Sequence, residues 1–394
     1  MTMQCASALS TAHDSSTAVA EVMERVAAGL GAGRADLAVA FASAHHADAL
    51  GRLAAAVRER SLARHVLGCT GETIVGDGRE VEDEPALSVW AIRLPGVAVR
   101  PVRLTFDGDA VAGWPEDLGG PAASDRTMLL LVDPFTFPTD PWLKTLRDGA
   151  PRVRIVGGMA SAAHAPGHNR LILDDQVFDA GAVAVVLDGP VRVRTVVSQG
   201  CRPIGRPMLI TKADRNRILE LGRRSALTVL REIYDALSEE DQERVRAGLH
   251  IGRVINEYQE AFRRGDFLVR NVVGADEEGG IAITDLIRVG QTVQFHVRDA
   301  ISADEDLALL LQDCRETAGT TAGALLFSCN GRGTRLFPAP DHDVAALRDA
   351  FGPIPVAGFF AMGEIGPVGG QNFLHGFTAS IALFEAVAGA KPDG

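Results

Sequence analysis

The chain is short of aromatic side chains, which make up only 5% of its 394 residues. That is too few for the stacking platforms on which single-stranded nucleic acids lie. Positive charge is lacking too: the formal charge is −12, and the arginines are scattered rather than gathered into a stripe. A phosphate backbone would be repelled by the average surface, so no nucleic-acid partner is expected. No apolar stretch reaches the ~18 residues of a membrane helix, and no basic segment followed by an apolar run opens the chain. Membrane insertion is therefore not expected. The five cysteines, Cys5, Cys69, Cys201, Cys314 and Cys329, form no CxxC pair, which argues against zinc ribbons and dithiol redox motifs. Reduced thiols in a cytoplasm fit this usage. His45-His46 has no third ligand at useful spacing, and neither a metal nor a cofactor is expected. The GxxxxGK[ST], HExxH, GxSxG, EF-hand and kinase signatures are all missing, and no GxGxxG follows a strand.

What is present is ordinary globular material, with 46% hydrophobic and 23% charged residues. The length is that of two domains. The first dozen residues read as a loose tail. Ser15 or Ser16 can then cap a helix through Val19, Val22, Met23, Val26 and Leu30, which Gly31 and Gly33 end. A pattern follows that recurs. The apolar run Leu37–Phe41, the helix Asp48–Arg60 and the strand His65–Leu67 lead into Gly68-Cys69-Thr70-Gly71-Glu72, with the strand Leu87–Leu94 behind. The second copy is Met128–Val132, Pro141–Leu146 and Val153–Val156, leading into Gly157-Gly158-Met159-Ala160-Ser161 and Gly181–Leu187. The third is Ala324–Phe327, a helix capped by Asp341, and Pro355–Phe360, leading into Met362-Gly363-Glu364 and Phe377–Phe384. The first and third copies share Gly-Glu at what reads as the same place.

This grammar predicts an α/β fold: two domains of mixed, partly parallel sheets with helices on the faces, built from repeated strand–helix–strand units. Different material separates copies two and three. It comprises a hairpin Met208–Leu221 turning at Asp214-Arg215-Asn216, a helix from Ser225, a Ser238/Asp241 capping box and three antiparallel strands from Phe267 to Val297. A further capping-box helix starts at Ser302 and Glu305. The boundaries expected are 1–34 for a tail and helix, 35–222 and 223–386 for two domains meeting near Arg223, and 387–394 for a tail.

Ligands of open α/β sheets bind outside the carboxyl ends of strands, so the strand ends supply the candidate residues. In the first copy these are Cys69, Gly71 and Glu72, where a carboxylate can accept from a ligand amine or hydroxyl. In the second they are Gly158 and Ser161. Gln199 and Arg202, in Ser198-Gln199-Gly200-Cys201-Arg202-Pro203-Ile204-Gly205, suit a carboxylate or amide. Arg298 ends the strand carrying Phe295-His296-Val297. Cys329, Asn330 and Arg332 follow a buried strand, and a cation beside a thiol lowers its pKa. Met362, Glu364 and His375 complete the set. Each also has a plainer reading: a tight turn, a local ion pair, a buried cysteine before a glycine turn, or a core histidine.

Together these motifs resemble the FIST family (F-box and intracellular signal transduction proteins). The segments up to Gly205 look like its N-terminal domain. Val293 to Ala300, Phe327-Ser328-Cys329-Asn330-Gly331-Arg332-Gly333, Gly358 to Pro367 and Phe373 to Thr378 look like its C-terminal domain. The match runs from about Leu37 to Phe384. The resemblance implies a sensory domain pair for small ligands such as amino acids or related metabolites, working with a signalling partner. Family members commonly carry an output module, for which this chain has no room, and the family supplies no agreed catalytic residue. The expected function is thus a cytoplasmic small-molecule-binding sensor rather than a recognisable enzyme. Its ligand is expected between the domains, with Glu72 and Glu364 accepting and Arg202 and Arg298 holding an anionic group. A cysteine-dependent enzyme using Cys329 and a protein-binding scaffold are the alternatives.

Overall fold

Runs such as Leu37–Phe41, Met128–Val132 and Ala324–Phe327 are apolar at every position, as strands buried on both faces must be. In the computed structural model, which describes residues 3–60, 62–119, 125–259, 261–262 and 265–386, each is the centre of a sheet. The first repeat consists of β1 (Gln4–Ser10), α1 (Ser15–Leu30), β2 (Ala35–Ala42), α2 (Ala49–Glu59), β3 (Ala63–Thr70), a hairpin β4 (Ile74–Gly76) and β5 (Arg79–Val81), and β6 (Leu87–Arg93). The second consists of β7 (Ala98–Phe106), β8 (Val111–Ala112), β9 (Arg126–Val132), α3 (Thr139–Gly149), β10 (Val153–Met159), the hairpin β11 (Leu171–Leu173) and β12 (Gln176–Phe178), and β13 (Ala182–Asp188). The third opens with β14 (Val191–Gln199).

The third repeat is interrupted by β15 (Cys201–Asp214), β16 (Arg217–Leu221), β17 (Arg224–Ser225), α4 (Ala226–Asp235), α5 (Glu239–Ala247), β18 (Leu249–Val254), β19 (Phe267–Ala275), β20 (Ile281–Ile283), β21 (Thr292–Arg298) and α6 (Ala300–Thr317). It resumes with β22 (Thr321–Cys329), α7 (His342–Phe351), β23 (Val356–Ala361), the hairpin β24 (Glu364–Val368) and β25 (Gln371–His375), and β26 (Thr378–Ala386).

The class is α/β, as the sequence predicts, with parallel pairs β2–β3, β9–β10 and β22–β23. The three sheets run β1-β6-β2-β3-β11-β12, β25-β24-β10-β9-β13-β7-β8 and β14-β26-β22-β23-β4-β5. Each therefore ends in a hairpin from another repeat. β4–β5 completes the third sheet, β11–β12 the first and β24–β25 the second.

Strand alternation then sorts the side chains. Leu37, Val39 and Phe41 of β2 join Leu129, Leu131, Leu325, Phe327 and Phe359 in one core shared by all three sheets. Ala38, Ala40 and Ala42 face α1 and α2, while Met128, Leu130 and Val132 face α3. Phe41, Phe327 and Phe359 touch one another with ring centroids 5.0, 5.8 and 6.2 Å apart, and burying each is worth about 1.5–3 kcal/mol.

A glycine recurs at one register position of every parallel pair: Gly68 opposite Ala40, Gly157 opposite Leu130 and Gly358 opposite Leu326. A Cβ there would lie 2.4, 1.9 and 1.9 Å from the carbonyl oxygens of Ala40, Leu130 and Leu326. No side chain fits such an approach.

Three sequence expectations change. The N-terminal segment is no loose tail. Gln4–Ser10 pairs with β6 and buries Ala6, Ala8, Leu9 and Ser10, because its alternating small residues fit a sheet edge under α1. Asp14, not Ser15 or Ser16, caps α1, its carboxylate accepting from Thr17 N at 2.7 Å. Compactness also divides the chain differently from a boundary near Arg223. The larger unit is residues 1–197, 308–374 and 378–394, and the smaller is 198–307 with 375–377. The exchanged hairpins explain this, since sequence-distant strands share sheets. Residues 387–394 lie outside the described residues.

In the smaller unit β15, β21, β18, β19, β20 and β16 pair in turn, and a β15–β16 pairing closes the ring. Ile204, Ile210, Ile218, Ile251, Ile281 and Phe295 fill it, with Val229 of α4 packed on this core.

Gly358→Ala should lower stability by about 3 kcal/mol or more. Gly274→Ala, where a Cβ meets nothing within 4 Å, should stay within about 1 kcal/mol of the parent. Urea midpoints of the two variants check this.

Candidate functional site

The ends of β3, β10 and β23 meet in the larger unit, and Ser161 ties them together. Its N–H donates to Thr70 O at 3.2 Å, and its hydroxyl accepts from Glu72 N at 2.9 Å and donates to Phe360 O. Met159 N donates to Gly363 O at 2.9 Å, Met362 N to Met159 O at 3.1 Å and Phe360 N to Thr73 O at 2.9 Å. Backbone groups freed at each strand end are thus satisfied by the other two.

Counting from the recurrent glycines, Glu72, Ser161 and Met362 are equivalent, each the fourth residue on. Glu364 is not the counterpart of Glu72, so the shared Gly-Glu position is corrected. The hairpin register shows the same. Ile74 lies opposite Phe359, Leu171 opposite Cys69 and Glu364 opposite Gly158, each one residue beyond the glycine. The third repeat therefore buries a carboxyl group where the other two bury isoleucine and leucine.

That carboxyl is fully buried. Its Oε2 accepts from Thr378 N at 3.0 Å and Thr378 Oγ1 at 2.8 Å, while its Oε1, with the Cys329 thiol nearby, has no hydrogen-bond partner among the described residues. Burial nevertheless pushes its pKa up to about 8, against the lowering by Thr378, Arg332 and Cys329. Beside it Arg332, 1% exposed, donates through Nε and Nη2 to the two oxygens of Asp343, both at 2.7 Å. Asp343 accepts as well from Ser328 Oγ at 2.6 Å, and His342 Nδ1 lies 2.9 Å from it. Burial opposes its ionisation, but the Arg332 guanidinium and these hydrogen bonds hold its carboxyl well below the usual range. Glu80 accepts from Val344 N at 2.9 Å. Burial, then the Asp343 carboxylate, pushes Glu80 up to about 8.

Arg332 Nη1, Glu80 Oε2 and Asn330 Oδ1 are buried with no hydrogen-bond partner among the described residues. Buried polar groups are rarely left so. Around this cluster Cys329 and Asn330 are half-buried, Met362 is exposed and Glu72 pairs with Arg335.

The structure therefore brings Glu72, Ser161, Cys329, Asn330, Arg332, Met362 and Glu364 to one junction. Cys69 points into the shared core. Gly71 and Gly158 are dictated by packing. A Cβ on Gly71 would lie 2.7 Å from Phe359 Cβ, and one on Gly158 2.9 Å from Ala361 Cβ.

Gln199, Arg202, Arg298 and His375 belong to the smaller unit. Gln199 is buried, its amide donating to Phe267 O at 2.6 Å. Arg202 is already ion-paired with Asp241 and lies 3.7 Å from Asp299, so its expected role in holding a ligand anion gives way to a structural pair. Arg298 lies over the Phe377 ring at 5.9 Å, and His250 packs on that ring at 4.2 Å. Phe377 has φ 65°, a region bulky residues rarely adopt. His375 is buried nearby in sequence. Burial, with Arg298 adding to it for His250, lowers His250 and His296 to about 4.

Glu80, Asp343 and Thr378 were missed from sequence. Glu80 stands in the acidic run Glu80-Val81-Glu82-Asp83-Glu84, which reads as a solvated turn. Asp343 reads as an ordinary first-turn helix acid. Two cavities lie away from this cluster. One of about 610 Å³ is lined by Phe106, Val111, Trp114, Pro138 and Trp142, and one of about 400 Å³ by residues including Asp77, Arg348 and Pro355. Neither contains a sequence-derived candidate. Among the described residues no His, Cys, Asp or Glu group could hold a metal ion, and no helix is long and apolar enough to cross a membrane.

Three interlocked repeats with a barrel inserted in the third define the class of this protein. Residues 36–224 match the FIST N domain and 226–367 the FIST C domain, and the chain belongs to the FIST family. FIST domains are associated with sensory signal transduction. A Mycobacterium tuberculosis protein described as uncharacterized is 44% identical over 382 residues, covering 95% of this chain and 98% of its own length. A Mycobacterium bovis protein, likewise uncharacterized, is 43% identical over 358 residues, covering 88% and 90%. A solved structure titled "Cyanuric acid hydrolase: evolutionary innovation by structural concatenation" aligns over 98% of this chain and all of its own. It does so with a TM-score of 0.29 and 9% identity, a likeness that bears on neither fold nor function.

Arg332→Ala, which strands the Asp343 carboxylate in the interior, should lower stability by about 3–5 kcal/mol in urea titrations. Glu80 and Glu364 keep their protons in the folded chain up to about pH 8, whereas the unfolded chain loses them near its ordinary value of 4.5. The folded state binds more protons in that window, so stability should fall as pH rises from about 5 to 8. Urea midpoints measured across that range should fall less steeply in Glu364→Gln.

Proposed function

We propose that the protein is a small-molecule sensor whose ligand binds at the junction of the three strand ends in the larger unit. The observation that carries this reading is the set of buried polar atoms without partners, Arg332 Nη1, Glu80 Oε2 and Asn330 Oδ1, beside half-exposed Cys329, Asn330 and Glu72. A ligand presenting both a donor and an acceptor would satisfy such groups, and an amino acid or a related metabolite has both. Glu72 and Asn330 would accept from its amine, Arg332 would donate to its carboxylate and Met362 would cover its apolar part. The signal would pass to a separate signalling protein. The five cysteines, none of them in a disulfide among the described residues, are suited to a reducing cytoplasm.

A thermal-shift screen with amino acids, small organic acids and nucleotides tests this. A ligand at 100 times its Kd should stabilise the protein by about 2.7 kcal/mol. The shift should vanish in Glu72→Ala and Asn330→Ala. A shift of equal size in both variants would move the site elsewhere, and a library without a hit would remove the sensor reading.

A further inference from the structure

The Cys329 thiol lies beside the buried Glu364 carboxyl, whose Oε1 has no hydrogen-bond partner among the described residues, and it accepts from Gly331 N at 3.4 Å. Arg332 exerts an attraction on Cys329 while its Nη1 donates to nothing described. The other cysteines stand differently. Cys5 and Cys69 are pushed well up by burial, Cys314 is raised by burial as well, and Cys201 is 1% exposed. Cys314 is also partly exposed near Arg194 and Glu385, but those two are ion-paired with each other at 2.7 Å, whereas Arg332 Nη1 and Glu364 Oε1 beside Cys329 have no hydrogen-bond partner among the described residues. The carboxyl has also displaced the Ile or Leu that the other two repeats carry at its position. Burying it is costly and contributes nothing to packing that an isoleucine would not. Chemistry at the neighbouring thiol gives it a purpose.

We propose that Cys329 is a nucleophile deprotonated by Glu364, and that the junction captures an α,β-unsaturated carbonyl compound by conjugate addition. This rests on the reading of the junction as the ligand site. The thiol proton passes to the Glu364 carboxylate as sulfur forms a bond to the β-carbon. The C=C π pair moves onto the α-carbon and carbonyl oxygen as an enolate, to which Arg332 Nη1 donates. Glu364 returns the proton to the α-carbon, so that S–H has added across the double bond and no further reactant is consumed. A carboxylate of ordinary acidity would be too weak a base for a thiol. One raised to about 8 is far closer in basicity to an ordinary thiolate, ~8.5, and so is fit to act as its base. Peroxide chemistry at the same sulfur would need an oxidant that nothing in the site selects.

The test uses the full chain in its native state with N-ethylmaleimide below one equivalent, followed by peptide mass mapping at several pH values. Cys329 should be labelled at least tenfold faster than Cys314, with a rate that rises to a plateau near pH 8. Glu364→Gln should slow Cys329 at least tenfold and leave Cys314 unchanged. Thr378→Val removes one hydrogen bond that lowers the Glu364 pKa, so it should move the inflection to higher pH, which keeps the test intact if Glu364→Gln folds poorly. Labelling that begins at Cys5 or Cys314, or a Cys329 rate indifferent to both variants, would overturn the proposal. Cys329→Ser separates the two readings. A thermal shift with an amino acid that survives in this variant, alongside slow Cys329 labelling in the parent, overturns the thiol chemistry and leaves the polar site standing.

Discussion

An exposed strand edge must be paired or covered, because its N–H and C=O groups otherwise stay unsatisfied or recruit other chains. The larger unit answers this at β3, β10 and β23 in one way: each edge is covered by a hairpin from a different repeat. The shared core, the meeting of the strand ends and the position of every candidate residue follow from that exchange. A hairpin leaving one strand end to reach another sheet must pass the third, and Ser161 fastens the three crossings.

The exchange also sets the local chemistry. The first residue of each donated hairpin faces the residue beyond the close-approach glycine, a position for apolar side chains in two repeats and for Glu364 in the third. Departing from threefold likeness at that point places a carboxyl against Cys329. The Arg332–Asp343 ion pair lies beside it, and Glu80 of the first repeat enters the cluster through the donated β4–β5 hairpin. The polar site is thus a local breach of a repeated apolar rule, and such breaches are where function tends to lie.

Much of this was legible in the sequence. Apolar runs gave the central strands, and the glycines after them gave the strand ends. The threefold grammar was readable from copies as different as Leu37–Phe41 and Ala324–Phe327, because both-face burial constrains every residue. Two things were not legible. Gly-Glu pairs look alike as strings, and only the register against the opposite hairpin separates Glu72 from Glu364. The partition into units was hidden as well, since Ile74 pairs with Phe359 and no local pattern announces a partner so far along the chain. For the same reason Glu80 and Asp343 read as surface acids, and Gln4–Ser10 read as a tail because its partner strand lies beyond two helices.

The pairing of Ile74 with Phe359 has a consequence for how the chain emerges from the ribosome. The β4–β5 hairpin is made well before its place in a sheet exists, because β23, its partner, follows only far along the chain. Until then β4 keeps an unmatched edge, and the first repeat cannot close on its own. Long-separated pairings of this kind slow folding and leave nascent chains open to association. The repeats therefore gain their order together and late, and a chain truncated before β23 would present unsatisfied strand edges to chaperones rather than a partial fold.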